Sequence, residues 1–171
     1  MNRFTMTHEF DCTPEVFWSK VNFDKEMNER MYREALQFPE FTLLELKEDD
    51  NEVFRRTRST PKMDVPGPVQ KVLGSNFQFT EETRYDKRSQ RGVFKGIPST
   101  MADKLKTEGT MRCEALGSNR CRRVIEVTVE AKVMMIGGLL ESTAEKNMRD
   151  SYDKSAAFMN KWIKEKGLDK A

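Results

Sequence analysis

The residues able to do chemistry are few. The chain holds one histidine, three cysteines, and a stretch in which an acid, a hydroxyl and a phenol alternate with other side chains. His8 lies in RFTMTHEF at the same parity as Phe4, Met6 and Phe10, so it belongs to the apolar side of a strand. A nucleophile needs its base within hydrogen-bond reach, and the sequence places no serine or cysteine beside His8. A satisfied core histidine is the plainer reading. Glu81, Thr83 and Tyr85 share parity with Phe77 and Phe79, and Arg55 and Thr57 share it with Val53. Turned inward, Glu81, Arg55 or Tyr85 would bind a polar headgroup or do acid–base chemistry. Turned outward they are ordinary solvated strand residues, and one bulge reverses the assignment.

Cys12, Cys113 and Cys121 form a sparse, odd set without the CxxC spacing of a zinc site, so reduced thiols are expected. Cys113 and Cys121 flank the turn LGSN and approach one another if it closes a hairpin, where a disulfide is the lesser alternative to two reduced thiols. No P-loop, dinucleotide fingerprint or metal cluster is present in the sequence, and neither a cofactor nor a metal is expected.

A chain of 171 residues fits one domain with a sizeable core. Charged residues make up 34%, yet the formal net charge is only +2, which argues against nucleic acid as a partner. Basic residues gather in RRTR (55–58), YDKRSQR (85–91) and RCRR (120–123), read as strand residues facing water, with an anionic surface or headgroup as the alternative partner. No apolar run reaches the length of a signal peptide or a membrane span, so a cytoplasmic location is expected.

The elements that must position these groups follow from periodicity. Residues 3–10 alternate as a strand. Thr13 and Pro14 open a short helix, and Asp24 caps a second one carrying Met27, Met31 and Ala35. Strands are expected over 41–48, 52–60, 77–86, 91–97, 104–116 and 120–135. The last alternates Ile125, Val127, Val129, Ala131 and Val133 with polar residues, as an antiparallel sheet wet on one face requires. Between strands, PKMDVPGPVQKVLG (61–74) holds a short helix opened by Pro68 and closed by Gly74.

Beyond Gly137-Gly138 the pattern becomes helical over about 139–165. Leu140, Ala144, Met148, Tyr152, Phe158, Met159, Trp162 and Ile163 fall in one stripe of a rod roughly 40 Å long. Ser151 and Ser155 interrupt that stripe. Small residues there either let the helix approach the sheet closely or leave space beneath it. Eleven methionines lean toward the second reading, since Met suits surfaces that adapt to a guest.

FTMTHEFDCTPEVFW resembles the opening of START-like (SRPBCC) proteins, and VMMIGGLLESTAEKNMRDSYDKSAAFMNKWI is similar to the close of a bacterial branch of that superfamily. VPGPVQKVLG resembles the branch's proline-rich insertion. The resemblance implies a single α+β domain of helix-grip type. In it a curved antiparallel sheet of about six or seven strands wraps a long C-terminal helix. It implies an apolar cavity for a lipid, sterol or polyketide-like molecule. The expected lining is Phe79, Met111, Val127, Val129, Met148, Tyr152, Ser155 and Met159, with His8, Arg55, Glu81 and Tyr85 as polar candidates. A carrier is the favoured function, ahead of a cyclase-like enzyme using acid–base residues in the same cavity or a co-chaperone-like interaction domain. Pro61–Gly74, with the loop 98–103, is read either as a gate that touches an anionic membrane transiently or as an ordinary packed connection.

Overall fold

Strict alternation of apolar and polar residues builds one sheet. In the computed structural model, which describes residues 1–170, seven strands run β1 (Asn2–Phe10), β2 (Glu40–Glu48), β3 (Glu52–Thr60), β4 (Phe79–Asp86), β5 (Arg91–Pro98), β6 (Leu105–Ala115) and β7 (Cys121–Ala131). Every neighbouring pair is antiparallel, in the order β1-β7-β6-β5-β4-β3-β2. Strands β2 to β7 are successive neighbours, whereas β1 pairs with β7. The chain must therefore cross from one edge of the sheet to the other between β1 and β2, and two helices make that crossing.

The first, α1 (Pro14–Val16), is capped by Thr13, whose Oγ1 accepts from the Val16 amide at 3.2 Å, and it continues as a π-helical turn over Phe17–Asn22. The second, α2 (Lys25–Arg30), is capped by Asp24 accepting from the Met27 amide at 2.8 Å and runs on as a π-helical segment, Met31–Ala35. The wider turns are invisible to a helical periodicity of 3.6. They set Phe17 and Trp18 into the core, where Trp18 stacks on Tyr85 with ring centroids 4.1 Å apart.

A short helix, α3 (Gly67–Leu73), ends at Gly74 in the left-handed region at φ 81°, as its sequence predicts. The final helix, α4 (Gly137–Glu165), is unbroken. It is tied to β1 by Asn160 donating to the Glu9 carbonyl at 3.0 Å and by Asn2 donating to Glu145 at 2.7 Å. Trp162 is buried and its indole N–H reaches the Lys20 carbonyl at 3.3 Å.

Two strand boundaries need correction. Strand β7 ends at Ala131 rather than 135; beyond it the chain leaves the sheet and turns through Met134–Ile136, with Met135 at φ 71°, into α4. Strand β4 begins at Phe79, not 77. The two glycines that open α4 differ in what surrounds them. A Cβ on Gly137 would lie 2.5 Å from the Ala131 carbonyl oxygen, so that glycine permits close approach, whereas Gly138 faces nothing within 4 Å. The buried Glu141 then accepts from the Ala131 amide at 3.0 Å, fastening the helix start to the strand it leaves.

Candidate functional site

The inner face of the sheet is tightly packed at one end and less completely buried toward its middle. Phe10, Cys12, Phe17, Trp18, Val21, Met27 and Tyr85 pack with Ala156, Met159, Trp162 and Ile163 of α4 into one core. A second core joins Phe4, Met6, Phe94, Ile125, Val127 and Val129. Over that second core Met111 and the middle of α4, at Ala144, Met148 and Tyr152, stay only half-buried.

Parity places the polar candidates on this inner face. Thr57 stands opposite Glu81, Arg55 opposite Thr83, and Val53 opposite Tyr85. Arg55 donates to the Asn22 carbonyl at 2.7 Å and lies 4.9 Å from the centre of the Phe23 ring. Tyr32, on the π-helical end of α2, stacks flat on Phe41 of β2 at 4.0 Å. Thr83 donates to Glu81 at 3.4 Å. Burial pushes the Glu81 carboxyl above the usual carboxylate range, and Arg55 and the Thr83 hydroxyl only partly offset this. Burial likewise raises the Tyr32 and Tyr152 phenols, with the charge of Glu81 the next cause in both. All three groups lie deep inside the protein, yet Glu81, Tyr32 and Tyr152 each keep accessible surface.

The remaining sequence-predicted residues divide between this half-buried region and the sealed core. Phe79, Met111 and Met148 are half-buried on the inner side, beside Glu81 and Tyr152. Val127, Val129, Ser155 and Met159 are buried, and Ser155 spends its hydroxyl on the Ser151 carbonyl at 2.7 Å. Tyr85 belongs to the aromatic core under Trp18 and Phe23, where burial pushes its phenol up to about 12. His8 sits at the β1 edge between Asp153 of α4, at 2.7 Å, and Arg123 of β7, at 3.0 Å. At the Arg55 end a depression of about 230 Å³ opens between α2 and the β2–β3 edge, with Phe23, Asn28, Phe41, Leu43 and Leu46 around it.

Two polar side chains of this region escape the sequence reading. Tyr32 has no strand parity to mark it. Arg123 does: it lies two residues before Ile125, on the inward side, but its neighbours place it in a cluster read as facing water. Arg120 and Arg122 do face outward, where they pair with Glu9 and Asp11, and Arg56 bridges Glu45 and Glu82 on the convex face. Arg123 is only 1% exposed, because the strand alternation turns it inward between the rings of Phe10 and Tyr152, 5.1 and 5.2 Å away. No cluster able to hold a metal is found among the described residues, and none of their helices is long and apolar enough to cross a membrane.

Solved structures with the same architecture include a protein from Thermus thermophilus, with a TM-score of 0.64, 17% identity, and coverage of 94% of this chain and 95% of that one. The Zhui aromatase/cyclase from a Streptomyces species follows, with a TM-score of 0.63, 12% identity, and 95% of each chain covered. A START superfamily protein from Mycobacterium smegmatis has a TM-score of 0.58 and 13% identity over 94% of this chain and 98% of that one. At such identities these likenesses concern the fold. No curated protein matches the sequence significantly. The family model described as "Protein of unknown function (DUF2505)" matches residues 5–163, so the chain belongs to that family and carries the START-like, helix-grip fold.

Proposed function

We propose that the protein binds a hydrophobic small molecule bearing a polar group, in the space between the concave sheet and the middle of α4. One observation carries this reading: Glu81, Tyr32 and Tyr152 lie deep in the molecule but are not sealed, beside half-buried Phe79, Met111 and Met148. The apolar side chains would hold a lipid, sterol or polyketide-like body. Arg55, Glu81 and the two phenols would receive its oxygen atoms, as small-molecule sites usually combine an apolar wall with a few placed polar groups. The similarity to a START superfamily protein supports the class of ligand without naming it.

The wall we assign to ligand passage is Pro61–Gly74. Its first half carries no helix or strand, and α3 is pinned chiefly by the buried Val69 against Ala131 and Leu140. Val133 and Ile136 pack against the same cluster, and between them Met134 and Met135 project almost fully into solvent. This exposed apolar tip, with Lys62, Lys71, Lys104 and Lys132 nearby in the chain segments around it, supports transient contact with an anionic membrane. A cyclase-like reaction is the second reading. It rests on Glu81, whose carboxyl burial holds above the usual carboxylate range, so that it would serve as a proton donor with phenols beside it.

Native mass spectrometry of freshly purified protein, followed by extraction, tests the binding reading. A copurifying apolar molecule lost in a Met148→Trp variant that still folds is the expected result. Protein that carries nothing, and takes up no fatty acid, sterol or aromatic polyketide when challenged, would overturn it.

A further inference from the structure

The pairing of β2 with β3 slips by one residue at Leu44: Leu43 stands opposite Thr57, and Glu45 opposite Arg56. In a regular strand Leu43 and Leu46 would point to opposite faces, because side chains alternate. The bulge puts both on the inner side, with Leu46 directly opposite Arg55. Strand β2 is an edge of the sheet, so no strand lies beyond these side chains, and Leu46 stays 40% exposed.

Leu43 and Leu46, with Phe23 and Phe41, wall the depression of about 230 Å³ that has Arg55 in its lining. Both rings are held in place, Phe41 by Tyr32 stacked on it at 4.0 Å and Phe23 by Trp18 at 6.0 Å. The half-buried Arg55 gives Nη1 to the Asn22 carbonyl at 2.7 Å, and its guanidinium carbon lies 4.9 Å from the centre of the Phe23 ring. No carboxylate forms an ion pair with it among the described residues. A guanidinium donates from every nitrogen, so the Asn22 contact leaves part of the fork for another acceptor. Lys25 and Glu29, exposed on the α2 rim, cancel in charge, which leaves the depression with the charge of Arg55.

We propose that this depression is a second binding site, for a small carboxylic acid whose apolar body is a single ring or a short chain. The carboxylate takes the open side of the Arg55 fork through charge-assisted hydrogen bonds, which a neutral amide cannot match. The apolar body lies among Phe23, Phe41 and Leu46. Room of about 230 Å³ is below the roughly 300–1,000 Å³ of drug-sized sites, and this restricts the size of the body. The site goes beyond the one under α4, since the two have Arg55 in common and otherwise separate linings. Its occupancy would still be felt there. Burial raises the Glu81 carboxyl and Arg55 is the main charge opposing that rise, so an anion held by Arg55 would weaken the opposition.

The probes are phenylacetate and its uncharged counterpart phenylacetamide, titrated into the full-length protein to about 10 mM, since so small a fragment binds at about the millimolar level. The methyl NMR signals of Leu43 and Leu46 should shift saturably with the acid and not with the amide. Arg55→Met should weaken the acid at least about tenfold. Leu46→Glu, at an exposed position, should do the same by setting a like charge at the mouth, while keeping whatever copurifies in the space under α4. A protein that carries nothing under α4 would therefore still show the phenylacetate shifts. Shifts confined to the methyls of Met111 and Met148, an equal response to the amide, or no shift at Leu43 and Leu46 would each overturn the assignment. If Arg55→Met does not fold, Leu46→Glu and the amide decide.

Discussion

Arg123 and His8 meet with Nη2 3.0 Å from Nδ1, and this contact fixes the protonation of the imidazole. A guanidinium can only donate, so Nδ1 must offer its lone pair. The proton then sits on Nε2 and is given to Asp153 at 2.7 Å. Burial holds the ring below the ordinary histidine value of 6.5, the Asp153 hydrogen bond opposes this, and the Arg123 charge reinforces it. The folded pKa is thus depressed relative to the unfolded chain. Stability from the neutral ring is present above about pH 6.5 and is lost as pH falls through the folded value. Denaturant midpoints should drop between about pH 7 and pH 5, and His8→Gln should flatten that part of the profile. A wild-type profile already flat there would show that His8 accepts a second proton without cost.

Glu81 runs the opposite way. Its folded pKa is raised, chiefly by burial, above the ordinary value of 4.5. Its contribution is fully present below the unfolded value and is lost as pH rises through the folded one. Glu81→Gln keeps shape and hydrogen-bonding capacity without the buried charge. The variant should be more stable than wild type near pH 8, with the advantage shrinking toward pH 4. Chemical denaturation across that range reads both points, and a variant less stable at every pH would mean that the Glu81 charge is paired after all.

The sheet and the gripping helix were legible because one face of each is buried, and alternation or a helical stripe records burial directly. Ile125 to Ala131 and Leu140 to Ile163 needed nothing more. Parity also put Glu81 and Arg55 on the inner face. What it does not record is depth. Tyr85 and Glu81 share a face, but Tyr85 is sealed under Trp18 while Glu81 keeps accessible surface. That difference is made by the π-helical turn that delivers Trp18, which leaves no periodic trace. Arg123 was hidden by its neighbours: two outward arginines flank the same stretch, and composition outweighed the parity that pointed inward.

The two glycines that open α4 should respond to alanine with opposite signs. At Gly137 the added Cβ would meet the Ala131 carbonyl oxygen at 2.5 Å, a backbone atom that cannot swing away. Strain of this kind costs about 1–3 kcal/mol. At Gly138 a Cβ meets nothing within 4 Å, and the position is already helical. Alanine there should stabilise by roughly 0.5–1 kcal/mol through the reduced entropy of the unfolded chain. Thermal melts of the two single variants decide; equal destabilisation at both sites would mean that the turn needs glycine for its backbone angles and not for space.

The membrane reading makes a prediction that separates a docking tip from a loop that merely happens to be apolar. Met134 is 90% exposed and Met135 96%, and no core contact accounts for either side chain. Next to them, Val69 alone of α3 is fully sealed, so the segment Pro61–Gly74 should open at lower cost than the strands around it. Hydrogen exchange in Pro61–Gly74 should therefore be faster than in β3 and β4, and vesicles containing phosphatidylserine should slow it. The double substitution Met134→Asp, Met135→Asp removes apolar surface and adds repulsion from the anionic headgroups. It should weaken vesicle association by at least about tenfold, the equivalent of roughly 1.4 kcal/mol, while leaving the melting temperature nearly unchanged. Exchange no faster here than in the neighbouring strands, together with equal vesicle binding by the double variant, would assign both segments to ordinary packing and remove the membrane from the mechanism.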